Sequence, residues 1–173
     1  EVPFSKSGFT KRSKIRKSKR AIETRWLTVP VKAFSTGTLI RNIVIETGQS
    51  WFSSHLRAIE NTYSSAPYFD EAFPALQSWY KADTDSETLA DLNSCIIEQL
   101  FEILHIECDV VKSSELIQSD GFAGSPSQTN LNILKRLGAS EYISGIGGAK
   151  YQSEAQFTCE HIALSYCDFA EYL

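Results

Sequence analysis

The sequence predicts an α/β fold: a Rossmann-like three-layer domain with a parallel sheet, preceded near the N-terminus by a β-hairpin and a helical insertion. β-like and helical stretches alternate in the last third of the chain, in the order strand 108–113, helix about 127–137, strand 141–144, helix about 153–161 and strand 162–167. Because each connection passes through a helix, the three strands are expected to run parallel.

Length and composition favour one domain over residues 1–173. Its parts are a basic segment at 1–25, a hairpin at 26–46, a helical region at 50–106 and the βαβαβ part at 107–169. An apolar content of 42% is typical of a chain with a packed core and excludes a disordered one. The chain starts at Glu1 and contains no methionine, so we expect a segment upstream of it.

The hairpin is predicted from two apolar stretches, residues 26–31 and 39–45, joined by a polar loop around Gly37. Pro30 has no N–H to give to a sheet, so its strand is expected at an edge or a bulge.

Three helices are predicted between the hairpin and the alternating part. The first follows Ser50, its N-cap. Its apolar face is formed by Phe52, Leu56, Ile59 and Tyr63. The second is aromatic and contains Pro74, which should kink it or mark the start of its regular part. The third begins after Thr88, which with Asp91 fits a capping box, and runs to about Leu104.

Charge is distributed unevenly along the chain. Residues 1–25 contain nine Lys or Arg against Glu1 and Glu23, a net +7, so the remainder carries −11 of the total of −4. The acidic remainder would repel a polyanion, which makes nucleic acid an unfavoured partner. No apolar run reaches the roughly 18 residues that a membrane-spanning helix needs.

Cysteine spacing and glycine motifs exclude several classes of site. The four cysteines form no C-x-x-C pair, so neither a zinc site nor a disulfide framework is predicted, and we expect reduced thiols in a cytoplasmic protein. The sequence has neither the G-x-G-x-x-G fingerprint nor a G-K-[ST] loop, so no nucleotide cofactor is predicted.

The ends of two predicted parallel strands carry small polar residues, at the edge where such sheets bind ligands. The candidates for anion binding there are Ser113, Ser114, Ser144, Gly145, Gly147 and Gly148. The glycine-rich stretch could hold an anion on backbone N–H groups, or its glycines could merely supply the positive φ of a turn. The serines could donate to a phosphate or form an ordinary strand exit.

Four further residues are candidates by side-chain chemistry. Lys11 and Arg12 could neutralise a diphosphate, or belong to a solvated basic arm. His55 is predicted on the polar side of its helix, where an imidazole could serve general acid–base catalysis or, like most lone histidines, have no catalytic role. Asn93 has no helix-propensity reason to be present, so it is expected either to bind ligand or to tie down a loop.

Six blocks along the chain carry a resemblance to a known family. They are VPFSKSGFTKRSKI at 2–15, WLTVPVK at 26–32, APYF at 66–69, LADLN at 89–93, SSEL at 113–116 and YISGIGG at 142–148. Together they resemble the WbqC-like family of bacterial proteins, found mostly in gene neighbourhoods for surface polysaccharide or O-antigen synthesis. Family members usually begin with a further strand and a Gln-Pro-containing turn, which would precede Glu1. The family often has asparagine beside the arginine of the basic block, where this sequence has Lys11 and Ser13, so only Arg12 matches the family pattern.

The resemblance implies a transferase that acts on a nucleotide-activated sugar or amino sugar, with a nucleotide sugar or another phosphorylated small molecule as its partner. A second hypothesis comes from a different class. The +7 segment could instead make the chain a non-catalytic binding module for a polyanion or nucleic acid.

Overall fold

The computed structural model describes residues 3–6, 8, 10–20, 22–46, 50–82, 87–116 and 124–168. They fall into two compact units, Glu1–Cys108 and Asp109–Leu173. One unit contains an antiparallel pair of strands and the other a parallel pair, so the prediction of a mixed α/β chain is confirmed. No full Rossmann-like sheet is formed by the described residues, because each sheet has only two strands. The single domain over 1–173 stays a prediction.

The first unit contains a basic hairpin. Strand β1 (Arg12–Arg16) pairs antiparallel with β2 (Thr24–Thr28), and Lys14 lies opposite Trp26. An ion pair of 2.8 Å between Lys17 and Glu23 follows the last paired residues, where both side chains are exposed. The basic segment is therefore part of a sheet.

The predicted pairing of residues 26–31 with 39–45 is wrong, because the strand that contains Trp26 pairs with β1 instead. β2 ends at Thr28, ahead of Pro30, and what remains of the predicted hairpin is short: Lys32 N donates to Val44 O at 2.9 Å and Glu46 N to Pro30 O at 3.0 Å. Ile40–Asn42 forms a 3₁₀ turn instead of a strand. The many charges of β1 obscured its alternation in the sequence.

The three predicted helices are confirmed as α1 (Trp51–Tyr63), α2 (Phe69–Ala82) and α3 (Leu89–Ile103). α2 continues through Pro74. The Thr88 hydroxyl caps α3 by accepting from the backbone N–H of Asp91 at 3.2 Å. Since the cap satisfies an otherwise orphan N–H, it fixes where α3 begins.

The core of the first unit joins α3 to the segment before α1. Ile43 and Leu89 are 1% and 0% exposed, and Leu89 N donates to Ile43 O at 2.8 Å. The buried cluster comprises Phe4, Ile43, Ile45, Leu89 and Leu92. Trp51 and Ile96 pack against it, which brings α1 and α3 together next to the hairpin.

In the described residues of the second unit, two α-helices precede a β–α–β arrangement. α4 (Ser113–Leu116) is a single turn, and α5 (Pro126–Leu137) begins at the Ser125 cap and ends at Gly138. Gly138 has φ 64°, a left-handed conformation that favours glycine and is common just after the end of a helix. The strands β3 (Glu141–Gly145) and β4 (Ala163–Cys167) pair parallel around α6 (Glu154–Cys159).

The core of the second unit fixes the helices on this strand pair. It consists of Leu131, Leu134, Phe157 and Ile162. Buried Ser127 donates to Gln156 Oε1 at 2.9 Å and accepts from Ser153 N at 3.1 Å, which ties α5 to the start of α6.

The predicted strand at 108–113 is wrong. Residues 108–112 have no regular structure, and α4 begins at Ser113. Val110 and Val111 are 41% and 43% exposed, so the two apolar side chains that favoured a strand are not buried by a sheet. Without this strand, the predicted three-stranded parallel sheet is reduced to β3 and β4.

Candidate functional site

A pocket of about 120 Å³ lies in the first unit, where the start of the hairpin meets the helices. It is lined by Thr10, Lys11, Arg12, Ser13, Leu27, Val29, Trp51, His55, Tyr80, Leu92, Asn93 and Ile96. Four of the residues singled out in the sequence, Lys11, Arg12, His55 and Asn93, thus line one cavity although up to 82 positions separate them.

The two predicted cations differ in their environment. The Lys11 carbonyl accepts from Val29 N at 2.8 Å, which continues the hairpin register by one pair, so Lys11 shares the strand face of Ser13 and Leu27. Arg12 has the opposite parity: its guanidinium lies 4.1 Å from the ring centre of Trp26, and its Nε donates to Gly8 O at 3.2 Å. The Lys11 ammonium lies 5.9 Å from the ring centre of Phe4, a longer contact than that of Arg12, so Lys11 is the better candidate for the charge that faces a bound anion.

His55 is buried, so its predicted place on the polar side of α1 is wrong. It is 7% exposed, and Thr62 on the same face is 4% exposed, whereas the predicted apolar residues flank this face and are partly buried. The buried face of α1 points to the hairpin, as the hydrogen bond from Arg25 Nη2 to Ala58 O at 3.1 Å shows.

Both ring nitrogens of His55 have partners within the chain. Nε2 lies 3.2 Å from Thr28 O, and Nδ1 lies 3.4 Å from the Tyr80 hydroxyl. Burial lowers the pKa of His55 below its ordinary value of 6.5, and the hydrogen bond with the Thr28 carbonyl opposes this effect. Burial also raises the pKa of Tyr80 above its ordinary value of 10.0. The pair is thus held in its uncharged form, and the role of His55 as a direct acid or base stays a prediction.

Asn93 ties down the segment that leads into β1. Its Nδ2 donates to Thr10 O at 2.9 Å, across 83 positions of sequence. Of the two expectations for this residue, the loop tie is therefore present in the structure. Because Asn93 also lines the pocket, this bond positions Thr10 and Lys11 at its wall.

The remaining candidates belong to the second unit. Ser113 and Ser114 form the start of α4 and do not end a strand. Ser144 is 6% exposed, and Ile146–Lys150 forms a 3₁₀ helix directly after β3. Anion binding at Ser113, Ser114 and residues 144–148 stays a prediction.

The glycines of this stretch do not supply positive φ. Gly145, Gly147 and Gly148 are absent from the left-handed region, where the structure places Gly37, Gly124 and Gly138. A Cβ on Gly148 would overlap the Ser144 hydroxyl, whereas one on Gly147 would have no heavy atom within 4 Å. Close packing against Ser144 therefore explains the glycine at 148, and the turn hypothesis is wrong.

Tyr80 lines the pocket and contacts His55, but it was not among the candidates singled out from the sequence. Its place in an aromatic helix suggested only packing, since nothing local in the sequence links it to His55, 25 positions away.

Among the described residues, no group of three or more His, Cys, Asp or Glu side chains is arranged to hold a metal ion. No helix in the described ranges is both long and apolar enough to cross a membrane.

Comparison with known proteins identifies the family. The model of the WbqC-like protein family matches residues 1–173. The chain belongs to the WbqC-like family. A WbqC-like relative from Mycobacterium tuberculosis (strain ATCC 25618 / H37Rv), the uncharacterized protein Rv1507c, is 26% identical over 173 residues, which cover 99% of this chain and 71% of the relative. No solved structure matches this WbqC-like chain at a significant level.

Proposed function

We propose that this WbqC-like protein is a transferase that acts on a nucleotide-activated sugar or amino sugar in bacterial surface polysaccharide biosynthesis, and that the pocket in the first unit holds part of that substrate. The observation that supports this most is the convergence of Lys11, His55 and Asn93 on one cavity. A lysine ammonium is a compact charge that suits a phosphoryl group, and the indole of Trp51 offers an apolar wall.

The size of the pocket limits what enters it. Its volume of about 120 Å³ is below the roughly 300–1,000 Å³ of pockets that enclose a whole drug-sized ligand. One phosphoryl group or one edge of a sugar ring fits this space, and the rest of a nucleotide sugar extends along the rim, to which exposed Ser13 belongs.

A thermal-shift panel of nucleoside diphosphates and nucleotide sugars tests the proposal. A ligand at 100 times its dissociation constant stabilises the fold by about 2.7 kcal/mol, a measurable rise in Tm. Lys11→Ala should reduce the rise, because it removes a charge-assisted hydrogen bond. Lys32→Ala is the matched control, since Lys32 is exposed and does not line the pocket. A panel in which no compound stabilises the parent contradicts the proposal.

The outer face of the hairpin supports the second candidate function, a polyanion-binding module. Arg12 and Lys14 lie 4.1 Å and 5.0 Å from the ring centre of Trp26, which is 38% exposed. Cations beside an exposed aromatic ring are the elements that bind single strands by charge and stacking. Titration of Trp26 fluorescence with a single-stranded DNA oligomer at two salt concentrations tests this function, and binding that does not weaken with salt contradicts it.

A further inference from the structure

The inner wall of the pocket is built from three rings that contact one another. The ring centres of Trp51 and His55 are 5.1 Å apart, those of Trp51 and Tyr80 are 5.9 Å apart, and those of His55 and Tyr80 are 6.1 Å apart. All three residues line the cavity, and the contact with His55 Nδ1 at 3.4 Å holds the Tyr80 hydroxyl in place. The mixed aromatic contacts restrict rotation of each side chain.

The direction of the hydrogen bonds in this wall follows from the Thr28 carbonyl. A carbonyl oxygen only accepts, so His55 Nε2, 3.2 Å away, must carry the proton. Nδ1 of the neutral ring is then an acceptor, and the Tyr80 hydroxyl must donate to it. The Tyr80 oxygen has one hydrogen, which is used toward His55, so a ligand group that reaches this oxygen meets only lone pairs.

We infer that Tyr80 is a specificity-determining residue that accepts a hydrogen bond from a sugar hydroxyl, with His55 as the positioning residue that orients it. This inference rests on the proposed function and names the part of the substrate that the inner wall recognises. An ionised phosphate has no hydrogen to donate, so its oxygen lone pairs would be repelled by those of the Tyr80 oxygen. The hydroxyl-bearing ring therefore takes the inner end, next to the Trp51 indole, and the phosphoryl group lies toward Lys11.

Calorimetry on Tyr80→Phe tests the inference. The probes are a nucleotide sugar that stabilises the parent protein, such as UDP-glucose, and the matching nucleoside diphosphate, UDP. Loss of one hydrogen bond should weaken nucleotide-sugar binding about tenfold. Affinity for the nucleoside diphosphate should not change. Tyr63→Phe is the control, because the Tyr63 hydroxyl bonds to Arg16 N at 3.1 Å and does not line this pocket. Equal effects on both probes, or no effect, overturn the inference.

Two further measurements separate positioning from packing at His55. In His55→Asn the amide oxygen can take the place of Nδ1 and accept from the Tyr80 hydroxyl, so the preference for the sugar-bearing probe should be largely retained. His55→Leu has no acceptor for this hydroxyl and should lose the preference. ¹⁵N NMR of the parent should show His55 protonated at Nε2. A neutral ring protonated at Nδ1 would overturn the inference, and this measurement needs no ligand.

The failures of the two proposals are distinguishable. If the parent binds no nucleotide sugar and no nucleoside diphosphate, the proposed function and this inference both fail. If the parent binds, and Lys11→Ala weakens binding while Tyr80→Phe has no selective effect, only the inference fails.

Discussion

Replacing Gly148 with alanine should destabilise the second unit, whereas the same change at Gly147 should not. A Cβ at 148 would overlap the Ser144 hydroxyl and lie 3.3 Å from Ser144 Cβ and 3.6 Å from Gln152 Cγ. Ser144 is only 6% exposed and its hydroxyl donates to Gly145 O at 3.2 Å, so turning the side chain aside disturbs a hydrogen bond in a buried position. Overpacking of this kind costs about 1–3 kcal/mol. At Gly147 the added methyl group meets nothing within 4 Å and φ is ordinary, so the change should be within about 0.5 kcal/mol.

Urea unfolding followed by circular dichroism measures both variants. The three tryptophans lie before residue 80, so their fluorescence reports the first unit and should be unaffected by either change. In a Ser144→Gly background, the cost of Gly148→Ala should fall, because the overlapping hydroxyl has gone. Equal costs at 147 and 148, or a cost at 148 that survives in the Ser144→Gly background, would refute the packing explanation of this glycine.

Three other predictions concern the first unit. Because burial lowers the pKa of His55 from 6.5, the unfolded chain binds more protons than the folded chain just below that pH. The stability that His55 contributes in its neutral form is therefore present above about pH 6.5 and is lost as the pH falls toward the folded pKa, by at most about 1.4 kcal/mol per pH unit. Urea titrations of His55→Asn at several pH values should show a shallower decline. Asn93→Ala should cost about 1 kcal/mol through loss of the bond to Thr10; unchanged stability in urea would contradict a loop tie. Thr88→Ala should cost about 1 kcal/mol by removing the α3 cap, while Thr88→Ser should retain most of it; thermal unfolding compares the two.

Elements with local signals were predictable from the sequence. The capping box at Thr88 marked the start of α3, because its groups lie only a few residues apart, and the helix predicted at about 127–137 is found as α5 (Pro126–Leu137). Pairing was predicted less well. β1 alternates between charged residues and Ser13 and Ile15, a pattern that resembles a solvated arm until its partner strand is known.

The same difference between local and long-range signals decides how much of the candidate site could be predicted. Residue types with unusual chemistry, such as His55 and Asn93, could be singled out, but burial and partners depend on long-range contacts. The Tyr80 hydroxyl and the Thr28 carbonyl lie 25 and 27 positions from His55, and they determine its tautomer. Likewise, the glycines at 144–148 have a composition typical of a turn, and only the packing of Ser144 shows why glycine stands at 148.

The most direct test of the central claim is chemical-shift mapping of the full chain with a nucleotide sugar that stabilises it. If the pocket in the first unit holds the substrate, the largest amide and side-chain shifts should occur at Thr10, Lys11, His55, Tyr80 and Asn93. Lys11→Ala should reduce these shifts at the same ligand concentration, and Lys32→Ala should not. Shifts confined to residues 144–148, with the residues of the pocket unchanged, would contradict the account and assign ligand binding to the glycine-rich stretch instead.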